Sequence, residues 1–158
     1  MRDGFLRARR AASIRLVWAD TILSAERQYV ARILAWAALS IVAATTIAVM
    51  LSARRIKSPV LAHFAVQLGG WGLVLALIGA LEWQGLHLRD LGSATRLEHA
   101  SWLRVGFDVG VIGMGAVLVA ASRWFGRSLA GMGAGAGLAV HGAALLVFDL
   151  QLVAAVSR

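Results

Sequence analysis

Apolar positions fall into four long blocks, Ala31 to Ser52, Pro59 to Glu82, Trp102 to Ala121 and Ser128 to Val156. Charged residues are held mostly to the ends of these blocks and to the gaps between them. Each block has the length of about 20 residues with which a helix crosses the hydrocarbon core of a bilayer, and the fourth is long enough to tilt or protrude. Pro59 stands in the first turn of the second block, where its missing N–H costs nothing. Short gaps make consecutive helices antiparallel neighbours, so the pattern predicts an all-α, up-down four-helix bundle in a membrane over residues 31–158.

Residues 1–30 follow a different pattern. On a helical wheel Phe5, Ile14, Leu16, Trp18, Ile22, Leu23, Tyr29 and Val30 share one arc, and Asp3, Arg9, Arg10, Asp20 and Arg27 share the other. Arg7, Arg15 and Glu26 interrupt the separation. The expectation is an N-terminal amphipathic helix lying at the membrane surface, separate from the bundle. A signal peptide is excluded because both the leader and the apolar block after it are too long.

Composition sharpens this picture. The chain is 59% hydrophobic and only 15% charged, with a mean hydropathy of +0.75. A soluble domain carries about a quarter charged residues and cannot hide this much apolar surface in a small core. The net charge of +8 is concentrated beside the blocks: residues 1–32 hold seven Arg against three acids, and Arg54, Arg55 and Lys57 add three more charges. No motif for reading DNA or RNA accompanies them, so the partner they imply is the lipid bilayer and not nucleic acid. Fifteen Arg against one Lys, with abundant Ala and Gly, points to GC-rich bacterial coding and hence to a bacterial inner membrane. The distribution of Arg and Lys favours both termini in the cytoplasm. Trp83, Trp102 and Trp124 stand at block ends, where an indole prefers headgroup level.

Candidate chemistry lies where ionisable or polar residues enter the blocks, because such residues are expensive in hydrocarbon. Counting from the gap at residues 122–127 puts Asp108 and His141 at one depth, and Arg104 and Asp149 at another. The count predicts two cross-helix pairs, Asp108 with His141 and a structural ion pair of Arg104 with Asp149. His63, Gln67 and Trp71 recur at intervals of four on one helix face. Gln67, Trp71, Asp108 and His141 therefore form a candidate intramembrane polar site, to be weighed against a network that only fixes helix faces. Gly106 and Gly110, Gly131 and Gly135, and Gly133 and Gly137 are each spaced by four, the spacing that lets helix backbones approach closely. The run GMGAGAG is not a nucleotide loop, since no strand precedes it and no Lys-Ser/Thr follows.

Several cofactors are excluded. The absence of cysteine removes disulfides, thiolate metal sites, iron–sulfur clusters and covalent haem. His63 and His141 differ in depth by about 12 Å, too far for a bis-histidine haem. His87, Asp90, Glu98 and His99 share the longest gap without a spacing that enforces a metal site. No nucleophile with a base appears, so no cofactor, metal or catalytic residue is assigned.

The stretches LAHFAVQLGGWGLVLALIG, VGFDVGVIGMGAVLV and GAGLAVHGAALLVFDLQL, in this order, resemble an uncharacterised family of small bacterial four-helix membrane proteins. The resemblance runs from about Ile33 to Leu152. It rests on Trp71 in the second block, Phe107, Asp108 and Val109 in the third, and Gly133 to Gly137, His141 with Gly142, and Phe148 with Asp149 in the fourth. His141 stands where the family pattern has Gln, and Gly72 where Asn is usual. The resemblance implies a fold and a membrane location, with Asp108 and Asp149 as the matched acids, and no activity. The leading expectation is a non-enzymatic structural or accessory component, alone, as a homo-oligomer or beside another membrane protein. The alternative is a protein that binds or transports a small ligand, cation or proton at the polar site.

Overall fold

The computed structural model describes the backbone of residues 2–157 and the side chains of residues 18–157, Leu91 excepted. Four helices account for the fold: α1 (Arg2–Ala53), α2 (Pro59–Gln84), α3 (Leu91–Trp124) and α4 (Leu129–Val156). All four are long and apolar enough to cross a membrane, over Trp18–Ala53, Pro59–Gln84, Gly92–Trp124 and Leu129–Val156. Leu39, Val66, Leu73, Leu103, Val117 and other large apolar side chains face outward, as a lipid-facing surface requires.

Two boundaries differ from the reading of the blocks. Residues 2–53 form one continuous helix of 52 residues with no break near residue 30. The amphipathic face expected for residues 1–30 rests partly on side chains of residues 1–17, which lie outside the described ones. The third helix starts at Leu91 and not near Trp102. Asp90 caps it, accepting from the Ser93 backbone N–H at 2.8 Å and from the Ser93 hydroxyl at 2.6 Å. The extra turns, polar on one side, lay Ala94 and Leu97 against Ile22 of α1. Hydropathy marks only the part of a helix that meets lipid, so these turns escaped the block count.

The helices alternate in direction. At the proximal end lie Glu26 of α1, the α2–α3 connection and the end of α4; at the distal end lie the α1–α2 and α3–α4 connections. α4 is the hub, packing on α3, α2 and α1, whereas α3 makes only sparse contact with α1 and α2. α2 therefore packs on α1 and α4, and consecutive helices are not all neighbours as the short gaps suggested. Glycines allow this. Gly133 and Gly137 of α4 lie against the Val60 backbone and the Gln67 side chain of α2, so close that any Cβ would collide. On the adjoining face of α4, Gly135 meets the Gly115 carbonyl, and Gly131 and Gly142 meet Ser122 and Ile112 of α3. The two glycine stripes of α4 therefore serve two different partners. Gly106 and Gly110 have open space above them and point away from the bundle.

At the distal end, both connections turn through a left-handed arginine, Arg55 (φ 50°) and Arg127 (φ 47°). Glycine is the usual residue at such a position after a helix. At Arg55 the turn closes with Ile56 N–H donating to the Leu51 carbonyl at 3.0 Å.

Candidate functional site

The interior seam between α1, α3 and α4 carries the ionisable residues. Along α4, Asp149 lies two turns proximal to His141, and both are buried, at 2% and 1% exposure. The register that sets Gly142 against Asp108 and Ile112 places Asp108 of α3 between them in height. Asp108 is itself 2% exposed. Its carboxyl lies close enough to that of Asp149 for the two to interact, and Tyr29 of α1 stands near Asp149. Asp108 thus has a second carboxyl as its neighbour, where His141 was expected. A residue count fixes height only to about a turn, and both α4 residues lie within that reach.

Arg104 also differs from expectation. Its guanidinium turns to Glu82 of α2, with N–O 3.2 Å, and donates to the Tyr29 hydroxyl at 3.1 Å, with the charge 5.5 Å from the tyrosine ring centroid. It lies near Asp149, but the ion pair it closes is with Glu82. Glu26 and Arg89 complete this polar end with two hydrogen bonds, 2.8 and 2.6 Å, in a forked pair. Hydrogen bonding to Glu26 pushes the Arg89 guanidinium further up from its ordinary value. A cavity of about 230 Å³ is lined by Glu26, Tyr29, Glu82, Arg89, Arg104 and Leu152. It reaches inward to Tyr29, the residue that stands near Asp149.

The deeper half of the seam is aromatic. His141 touches Trp36 edge-on, with ring centroids 5.8 Å apart, and Trp71 at 6.3 Å. Its Nδ1 lies 3.3 Å from the Gly137 carbonyl. Gln67 sits one turn distal on α2, against Gly137. The structure therefore brings Gln67, Trp71 and His141 together along the α2–α4 contact, and sets Asp108 with Asp149 a turn nearer the proximal end. Five buried polar atoms find no partner among the described residues: Trp36 Nε1, Ser40 Oγ, Asp108 Oδ2, His141 Nε2 and Asp149 Oδ1. Buried polar atoms are normally satisfied, so such a group concentrated in one interior marks a place built for something other than packing.

The contribution of α1 went unread in the sequence. Tyr29, Trp36 and Ser40 share a face with the buried Ile33, Ala37 and Ala44, and the spacings of seven and four that join them were a usable signal. The polar residues of the α2–α3 region are engaged separately. His87 Nδ1 lies 2.7 Å from the Gly85 carbonyl, Asp90 caps α3, and Glu98 accepts from Ser157 at 2.9 Å. His63 is exposed on α2, its Nδ1 3.0 Å from the Pro59 carbonyl, and takes no part in the seam.

Two neighbouring carboxyls can share a hydrogen bond only where one of them keeps its proton, because two carboxylates are acceptors only. Tyr29, between the cavity and Asp149, can hand a proton on through its hydroxyl. The arrangement suits the holding and relay of a proton, and contains no nucleophile positioned by a base. Residues 32–150 match a family of unknown function, DUF6992, and the chain belongs to that family. No curated protein and no solved structure matches it.

Proposed function

For a member of this family, we propose a non-enzymatic four-helix component of the bacterial inner membrane that binds a proton at the Asp108–Asp149 pair. The observation that carries the reading is the burial of two carboxyls in one seam, each with an oxygen that finds no partner among the described residues. The cavity beside Glu82 and Arg104 supplies access from the proximal end. Towards the distal end, the close contacts of Gly133 with Val60 and of Gly137 with Gln67 leave little room for a path between α2 and α4. The protein therefore holds and responds to a proton, and is not a through-conductor. Its arginine distribution favours both termini in the cytoplasm, the side on which this reading has the cavity open.

Infrared difference spectroscopy on hydrogen–deuterium exchange tests this reading. A protonated carboxyl band that shifts on deuteration is expected in the wild type, and its loss is expected in Asp108→Asn and in Asp149→Asn. A wild-type spectrum without that band overturns the proposal, as does a band that persists in both variants.

A second reading, an accessory subunit packed against another membrane helix, is favoured by the open space over Gly106 and Gly110 on the outer face of α3. These two glycines, and not Gly135, are the ones a partner helix would reach. Replacing Gly110 by Leu should release a stoichiometric partner from the gently extracted protein in native mass spectrometry. Retention of every co-purifying protein would count against it.

A further inference from the structure

The distal end of the molecule has a charge character of its own. Its two connections carry Arg54, Arg55, Lys57, Arg123 and Arg127, and every carboxylate residue with a described side chain lies elsewhere, at or towards the proximal end. None of the five cations has a hydrogen bond or ion pair from its side chain among the described residues. At the proximal end, by contrast, Arg89 and Arg104 are each held by a glutamate. Arginine also occupies the left-handed turn position in both distal connections, where glycine would relieve the backbone.

Beside this end, between α1 and α2, lies an open cavity of about 720 Å³. Its walls are mostly apolar, with Ala44, Ala48, Ala62, Ala65 and Gly69 among them and the hydroxyl residues Thr45 and Ser52 beside these. Lys57 and Ser58 stand at its mouth. An acyl chain gains little by leaving bilayer for an apolar groove, since lipid tails are as apolar as the groove itself. Selection must therefore come from the headgroup, and the only charges at the mouth are positive.

We propose that this groove binds one anionic phospholipid, with an acyl chain between α1 and α2 and its phosphate at Lys57. The site is independent of the carboxyl pair, which lies towards the opposite end of the bundle. Arg54 and Arg55 add to the attraction without entering the groove. Each basic residue near a headgroup favours an anionic lipid by about fivefold.

The test reconstitutes the full chain in bilayers of equal phosphatidylglycerol and phosphatidylcholine, and counts retained lipid by native mass spectrometry. One phosphatidylglycerol per chain is expected. Lys57→Gln should lower the preference for phosphatidylglycerol about fivefold. Ala48→Phe, at an exposed groove wall, should remove the stoichiometric lipid while circular dichroism shows unchanged helix content. Arg123→Gln, on the other connection, should leave retention unchanged. Equal retention of the two lipids, a broad lipid distribution insensitive to Ala48→Phe, or an unaltered preference in Lys57→Gln each overturns the proposal.

Discussion

Glu26 and Arg89 show how a single contact fixes the proximal end. The glutamate side chain is 7% exposed and the arginine 22%, and the fork between them ties the α2–α3 connection to α1. Hydrogen bonds to charged groups contribute about 1.5–3 kcal/mol each way of measuring them, and removal of one partner strands the other. Glu26→Gln should destabilise the detergent-solubilised protein by about 2 kcal/mol, read as a lower midpoint on chemical unfolding. Arg89→Gln in the same background should add little, because the interaction is already lost. Asp90 offers a pH-dependent counterpart outside the spans. The Ser93 hydroxyl and backbone N–H hold its carboxyl below the usual carboxylate range. A depressed carboxyl stabilises the fold above its unfolded value, about 3.9, and loses that contribution as pH falls through the folded value. Amide exchange at Ser93 and Ala94, corrected for intrinsic rate, should therefore accelerate on acidification below about pH 4 in the wild type. In Asp90→Ala it should be fast throughout.

Helices divide the glycines into two kinds that sequence spacing cannot tell apart. A Cβ on Gly135 would lie 2.6 Å from the Gly115 carbonyl, a backbone atom that cannot swing aside. Gly135→Ala should cost about 1–3 kcal/mol, the range for overpacking a tight seam. Gly106→Ala and Gly110→Ala meet nothing within 4 Å and should be neutral or stabilising by up to about 1 kcal/mol through helix propensity. Unfolding titrations of the three variants check the contrast. The same elements show what was legible beforehand. The starts of α2 and α4 follow from Pro59 and from the block that opens at Ser128, and the glycine spacing of α4 marks it as a packing helix. Spacing gives periodicity along one helix but not which neighbour it faces, so the outward turn of Gly106 and Gly110 was hidden. The partner of Asp108 was hidden likewise, since His141 and Asp149 flank its height. The role of α1 was obscured because its interior face is built of Tyr29, Trp36 and Ser40, which read as ordinary apolar or small residues.

At the scale of the whole molecule, alternating helices set the distal connections against the rest. Trypsin added to sealed vesicles of one orientation should cut at Arg96, while sites at residues 54–57 and 123–127 stay protected; vesicles of the other orientation should reverse the result. Peptide mass spectrometry reads the cuts, and cleavage of both sets from one side would rule out four crossings. With inside-out vesicles, cleavage at Arg96 is the outcome that matches cytoplasmic termini.

The position of α4 as hub has a consequence for biosynthesis. Translation delivers α1, α2 and α3 to the bilayer before the helix that all three pack against exists. Until then Asp108 lacks Asp149, and the faces meant for glycine have no partner. The four-residue link from Phe125 to Ser128 keeps α3 and α4 together, so they can enter as a hairpin that brings both carboxyls at once. A chain stalled before α4 would carry an unpaired acid in hydrocarbon, a mark by which membrane quality control could separate unfinished molecules from complete ones.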